Sequence, residues 1–156
     1  IISNINIKHM RSKQSEWYEI GLRYKKVMED GTKKFTTEHY VVEALSFSQA
    51  ESRIVEEMMH YISDTYEIKT IKKAAYKEVF FSDVDKDDKW YKAKLQFITI
   101  DAKTKKEKFS NFIYLVQSSS LDKACISIDK FMGETMTAYS SMSLLKTKLM
   151  DVFELK

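Results

Sequence analysis

The 156 residues include 26 lysines and arginines against 23 aspartates and glutamates, a formal net charge of +3, with 44% hydrophobic, 31% charged and 13% aromatic residues. This is the composition of a chain with a core, not of a disordered one, and the mild charge permits an anionic partner without requiring one. No apolar run approaches the roughly 20 residues of a membrane-spanning helix. Three glycines and no proline leave little for phosphate-cradling loops, and a single cysteine excludes an internal disulfide and fits a reducing cytoplasm.

Residues 1–16 read as an N-terminal tail that mixes Ile with Asn, Ser and Lys. The tail lacks the continuous apolar segment and small-residue cleavage site of a signal peptide, and Met10 offers a second start. From Trp17 to Val27 the chain alternates. Tyr18, Ile20, Leu22 and Tyr24 fall on one side, with Trp17, Glu19, Arg23 and Lys25 on the other, which is strand period. Glu29-Asp30-Gly31 is a hairpin turn, and a second strand returns over Phe35–Glu43. Ser46-x-x-Gln49 is a capping box, followed by Phe47, Ala50, Ile54, Met58 and Tyr61 at helical spacing as the expected buried stripe. Glu67 to Phe81 is extended and rich in Ile, Tyr, Val and Phe. Residues 82–89 form an acidic connector.

Beyond it the pattern returns. Strands are expected near Trp90–Ile100 and Phe109–Gln117, joined by a basic loop at Lys103–Lys106. Leu121, Ala124, Ile128 and Met132 form a second helical stripe, Cys125 reads as a small buried hydrophobe on that helix, and Leu144–Leu155 is the last strand region. The two halves match along their length with two single-residue gaps. Trp17-Tyr18 corresponds to Trp90-Tyr91, and Leu22 and Tyr24 to Leu95 and Phe97. One inserted residue later, Tyr40-Val41-Val42 corresponds to Tyr114-Leu115-Val116, Ala50 to Ala124 and Met58 to Met132, and after one deletion Glu78-Val79-Phe80 to Asp151-Val152-Phe153. The expected fold is therefore α+β, an internal duplication of a β-β-α-β unit with mainly antiparallel sheets, each covered by one helix. The repeats span residues 17–81 and 90–156. A hairpin with one helix buries little alone, so the copies are expected to form one pseudo-symmetric domain or two closely packed halves.

Catalytic and metal motifs are missing. His9, His39 and His60 are scattered, and a zinc site wants Cys and His at characteristic spacing. Asp83-x-Asp85-x-Asp87 opens like a calcium loop but has Asp88 where glycine belongs and Lys94 where a bidentate Glu belongs. There is no G-x-S-x-G, no Walker lysine and no G-x-G-x-x-G. The adjacent pairs Glu29-Asp30 and Glu56-Glu57 read as solvated. The expectation is a protein that is not an enzyme and carries no cofactor.

One constellation stands out. The face of each first strand opposite its apolar side carries a tryptophan and cations: Trp17, Arg23 and Lys25, then Trp90, Lys92 and Lys94, with Lys72 and Lys73 following the first helix. Aromatics beside cations on a sheet suit single-stranded nucleic acid, because every base has a π face and every phosphate a charge. These eight residues are the candidate nucleic-acid or anion site. The plainer reading has the tryptophans buried and the lysines solvating an exposed face, and Glu19 on that face favours it.

Trp17-Tyr-x-x-x-Leu-x-Tyr24, Tyr40-Val-Val-Glu-Ala-Leu-Ser-Phe-Ser-Gln-Ala-Glu51, Trp90-Tyr-Lys-Ala-Lys-Leu-Gln-Phe-Ile-Thr-Ile-Asp101 and Met150-Asp-Val-Phe153 together resemble a family from Bacteroidota and their phages, known as a domain of unknown function. The resemblance covers nearly everything after Glu16. It implies a bacterial or phage protein in the cytoplasm, with a virion location also open, and it carries no catalytic residues to transfer. Three functions remain in play: a single-stranded nucleic-acid binder, a phage anti-defence protein sequestering a nucleotide signal, and a structural or adaptor component, each with a homodimer as one arrangement.

Overall fold

Alternation along Trp17–Val27 and capping at Ser46 place most elements. The computed structural model describes residues 15–62, 65–134 and 138–156; most of the tail, with His9 and Met10, lies outside them. In chain order the elements are β1 (Glu16–Val27), β2 (Lys33–Ala44), α1 (Phe47–Met58), β3 (Tyr66–Ala74), β4 (Tyr76–Phe80), β5 (Lys89–Ile100), β6 (Glu107–Ser118), α2 (Leu121–Gly133), β7 (Tyr139–Lys146) and β8 (Leu149–Phe153). The fold is α+β with two four-stranded sheets, each packed by one helix, and the two copies of β-β-α-β are both present.

The turn between β1 and β2 needs a residue of positive φ, which Gly31 supplies at 85°, and the Asp30 carboxylate accepts from the Thr32 N–H at 3.0 Å. Ser46 caps α1 by accepting from the Gln49 N–H at 3.1 Å, while Gln49 Oε1 accepts from the Leu45 N–H. Ser120 caps α2 in the same way through the Lys123 N–H at 3.2 Å.

The extended stretch after α1 is two strands, not one. They part at Ala75 and join different sheets, in orders β3-β1-β2-β8 and β4-β6-β5-β7. Each repeat thus gives its last strand to the other repeat's sheet. β8 runs parallel to β2, with Tyr40 opposite Asp151, Val41 opposite Val152 and Val42 opposite Phe153. β4 runs parallel to β6, with Glu78 opposite Tyr114, Val79 opposite Leu115 and Phe80 opposite Val116. The chain divides accordingly. The first unit comprises the residues through Ala75 with Leu149–Lys156, and the second comprises Tyr76–Lys148. The acidic stretch 82–89 is no free linker, since the Ser82 N–H donates to Gln117 Oε1 at 2.9 Å inside the second unit.

In the first unit the helix side of the sheet buries Tyr18, Ile20, Leu22, Tyr24, Tyr40, Val42 and Ala44 against Ala50, Ile54 and Met58. The expected stripe is shorter at both ends, because Phe47 and Tyr61 are exposed. Phe47 still meets the Tyr18 ring edge-on at 4.9 Å. In the second unit Tyr91, Ala93, Leu95, Tyr114 and Val116 pack on Ala124, Ile128 and Met132. Leu121 is exposed, and so is Cys125, contrary to expectation: one residue on from Ala124 the helix has turned about 100° away from the buried stripe.

Strand exchange makes each repeat incomplete alone. We expect fragments 1–85 and 86–156 to lack cooperative unfolding separately and to regain it when mixed, as read by circular dichroism against urea; a sharp transition from either fragment alone would count against the exchanged topology.

Candidate functional site

The eight expected site residues are dispersed. Trp17 is half-buried on the sheet face away from α1. Beside it Lys72 Nζ lies 3.4 Å from Glu19 Oε2, and Arg23 sits across from Glu67 in the β1–β3 register. Lys73 falls on the opposite, helix-facing side, opposite Tyr18, because side chains alternate along β3. There it pairs with Glu16 at 3.0 Å, which raises its pKa, and its ammonium lies 5.7 Å from the Phe47 ring centre. Arg23 and Lys25 share the Phe35 ring, at 4.3 and 5.2 Å from its centre. In the second unit Trp90 is 1% exposed and meets the Phe81 ring edge-on at 5.4 Å. A ring so enclosed presents no face to a base, and Leu115, buried on the same side of the sheet, shows that this face is apolar as well. Lys92 is half-buried over the Tyr76 ring at 5.7 Å, and Lys94 is exposed.

The structure gathers a different set. In the first unit a cleft of about 370 Å³ is lined by Tyr24, Lys26, Glu38, Tyr40, Glu57, Met58, Tyr61, Met150, Asp151 and Phe153. β1 and β2 supply one wall, the end of α1 another, and β8 the third, so strand exchange completes it. Its centre is Glu38, 6% exposed in the same register as Tyr40 and Val42. The Tyr24 hydroxyl donates to Glu38 Oε1 in a short hydrogen bond, the Tyr40 hydroxyl donates to the same oxygen at 3.3 Å, and Lys26 Nζ donates to Oε2 at 3.1 Å. Burial and the Glu38 carboxylate push the pKa of both phenols well above the ordinary 10.0, so each keeps its proton and serves as a donor rather than a base.

Two further carboxylates border the cleft. Burial tends to raise the pKa of Glu57, but the Arg53 guanidinium at 2.8 Å and Lys156 at 3.4 Å outweigh it and hold the acid below its usual value. Asp151 is raised, by burial first and by the charge of Glu57, against the Val152 N–H that donates to it at 2.8 Å. Phe153 stacks on Tyr40 with ring centres 6.0 Å apart. Among the described residues, no group of three or more His, Cys, Asp and Glu is placed to hold a metal ion.

The second unit has the same framework with different contents. Tyr114 stacks on Phe80 at 5.7 Å, as Tyr40 does on Phe153. Where the first unit has Tyr24, Glu38 and Glu57, the matching positions hold Phe97, Phe112 and Phe131, and Phe131 stacks on Phe80 at 4.2 Å. The fold therefore closes this corner with phenylalanines. A buried carboxylate there is an addition that packing did not require, and buried charge is retained against its desolvation cost.

Residues 16–155 match the model of a family described as a domain of unknown function. The chain belongs to the DUF4494 family. No curated protein matches it. The DUF4494 match begins at the first strand and ends past the last, so it takes in both repeats and every residue that lines the cleft. Sequence reasoning had passed over the cleft, treating Glu56-Glu57 as solvated. Glu56 is exposed, whereas Glu57 turns toward Arg53. The available signal was a glutamate in the buried register of β2, at a position where the second repeat has phenylalanine.

Two outcomes follow for stability. Glu38→Ala strands two buried hydroxyls and should lower stability by about 1–3 kcal/mol in urea unfolding, while Tyr24→Phe/Glu38→Phe, which copies Phe97 and Phe112, should recover most of that loss. Because Tyr24 and Tyr40 titrate later folded than unfolded, their contribution is whole below pH 10.0 and falls as pH rises beyond it. Each phenol should steepen the alkaline loss by up to about 1.4 kcal/mol per pH unit, and Tyr24→Phe/Tyr40→Phe should flatten it.

Proposed function

We propose that the chain is a non-enzymatic binding protein that holds a small ligand in the cleft of its first unit. The supporting observation is the asymmetry of the duplication: one copy keeps a closed aromatic corner and the other opens it around Glu38, Tyr24 and Tyr40. The volume of about 370 Å³ lies at the lower end of the range typical of small-molecule sites, about 300–1,000 Å³. The two phenols keep their protons and Glu38 is engaged by three donors, which suits holding a ligand better than moving protons. The resemblance of the sequence supports a bacterial or phage setting in the cytoplasm, and the edge strands β3 and β7 suit a homodimer.

The test is a thermal-shift panel of amines, amino acids, sugars, nucleosides and nucleotides. At a hundredfold excess over Kd a ligand adds about 2.7 kcal/mol, a readily measured shift. At least one class should stabilise the native chain and leave Tyr24→Phe/Glu38→Phe unmoved. No shift with any class, or an equal shift in the variant, would sink the reading.

A second reading, single-stranded nucleic acid, keeps one supporting observation: Phe35, 42% exposed, lies beneath Arg23 and Lys25. Fluorescence anisotropy with labelled single-stranded DNA should then show affinity that falls with salt and weakens by about 1–3 kcal/mol in Phe35→Ala, with Trp90→Phe unchanged. Salt-independent binding would remove it.

A further inference from the structure

The hydrogen-bonding groups lining the cleft are unbalanced. The Tyr24 and Tyr40 hydroxyls both spend their protons on Glu38, so their oxygens face the cleft with lone pairs alone. Glu38, Glu57 and Asp151 add three carboxylates. Against these acceptors stand the Lys26 ammonium, partly committed to Glu38, and the Tyr61 hydroxyl. Of these carboxylates Glu38 meets Lys26 and Glu57 meets Arg53 and Lys156, which leaves Asp151 as the one whose charge has no cation opposite it among the described residues.

Asp151 is the telling residue. Its partner is the Val152 backbone N–H, and no cation pairs with it among the described residues. Its side chain stands exposed at the rim of a cleft that also holds Glu57. A positive group seated beside Asp151 would supply the opposite charge it lacks and be held by a charge-assisted hydrogen bond. The remaining lining is aromatic and thioether: Tyr24, Tyr40, Tyr61 and Phe153 offer rings on which a cation is attracted, and Met58 and Met150 offer adaptable apolar surface. A phosphate or carboxylate would bring further acceptors and negative charge to groups that can donate little. In the second unit, the aromatic replacements at Phe97, Phe112 and Phe131 remove most of the acceptor set and of the carboxylates keep only Glu78, the counterpart of Asp151.

We infer that the ligand of the first unit's cleft is an organic cation, an ammonium or guanidinium on a short apolar body. The inference rests on the cleft being the binding site and names what fits it. Two sources share this chemistry: a free amine or guanidine, and a lysine or arginine side chain of a partner protein.

Calorimetric titration of the full chain separates the cases. The probes are phenethylamine, its anionic counterpart 3-phenylpropionate and its neutral counterpart 2-phenylethanol, with N-acetyl-lysine amide and N-acetyl-arginine amide for the peptide source. Phenethylamine or the two amides should bind while the anion and the alcohol do not, and Asp151→Asn, of the same shape, should weaken that binding by about tenfold. Tighter binding of the free amine points to a metabolite, and tighter binding of the amides to a protein side chain; either supports the inference. Preference for the anion, equal binding of all three phenyl probes, or an unchanged affinity in Asp151→Asn would overturn it while leaving the cleft a binding site. No heat from any probe would overturn it too, and the broader panel then decides whether the cleft binds anything.

Discussion

The pairing on which the rest depends is the parallel contact of β8 with β2 and, in the second unit, of β4 with β6. A hairpin and a helix leave β2 with an open edge, and its valines, Val41 and Val42, are fully buried only in a sheet whose fourth strand brings Val152 and Phe153 alongside. That strand arrives from the far end of the chain. Local propensity builds the hairpins and helices, and a long-range pairing completes each sheet. Such pairing carries a loop-closure cost and is expected to form late.

The cleft inherits this construction. Tyr24, Lys26, Glu38 and Tyr40 come from the first hairpin and Glu57 from the helix that follows, while Asp151 and Phe153 come from β8. Burying the Glu38 side chain would leave its oxygens unpaired without the donors that converge on it. Its burial and the high pKa of both phenols are therefore two aspects of one network.

Much of the framework was legible in the residues. Strand alternation from Trp17, the Asp30-Gly31 turn, the Ser46 cap and the match between halves all reflect local chemistry, and all are present. The exchange was not legible, because a five-residue strand such as Tyr76–Phe80 carries a period but no address, and a single Ala75 separates it from β3. The depth at which Trp90 lies was not legible for a related reason. Period two says which side of a strand Trp90 occupies, not whether that side is covered, and a sheet apolar on both faces hides the ring. The cleft went unread because likeness between the repeats was weighed more than difference. Tyr24 against Phe97 is a match of shape, and with Glu38 against Phe112 it is also a change of chemistry.

The aromatic corner of the second unit has a consequence for ancestry. A single β-β-α-β copy could complete its sheet only by exchanging strands with another, so an unduplicated form would be a symmetric pair with two identical corners. In such a pair every substitution lands twice, and a buried glutamate would have to be tolerated in both. Joining the copies in one chain releases them from that symmetry: Phe112 can hold one corner shut while Glu38 opens the other. The duplication separates the task of staying folded from the task of recognising something.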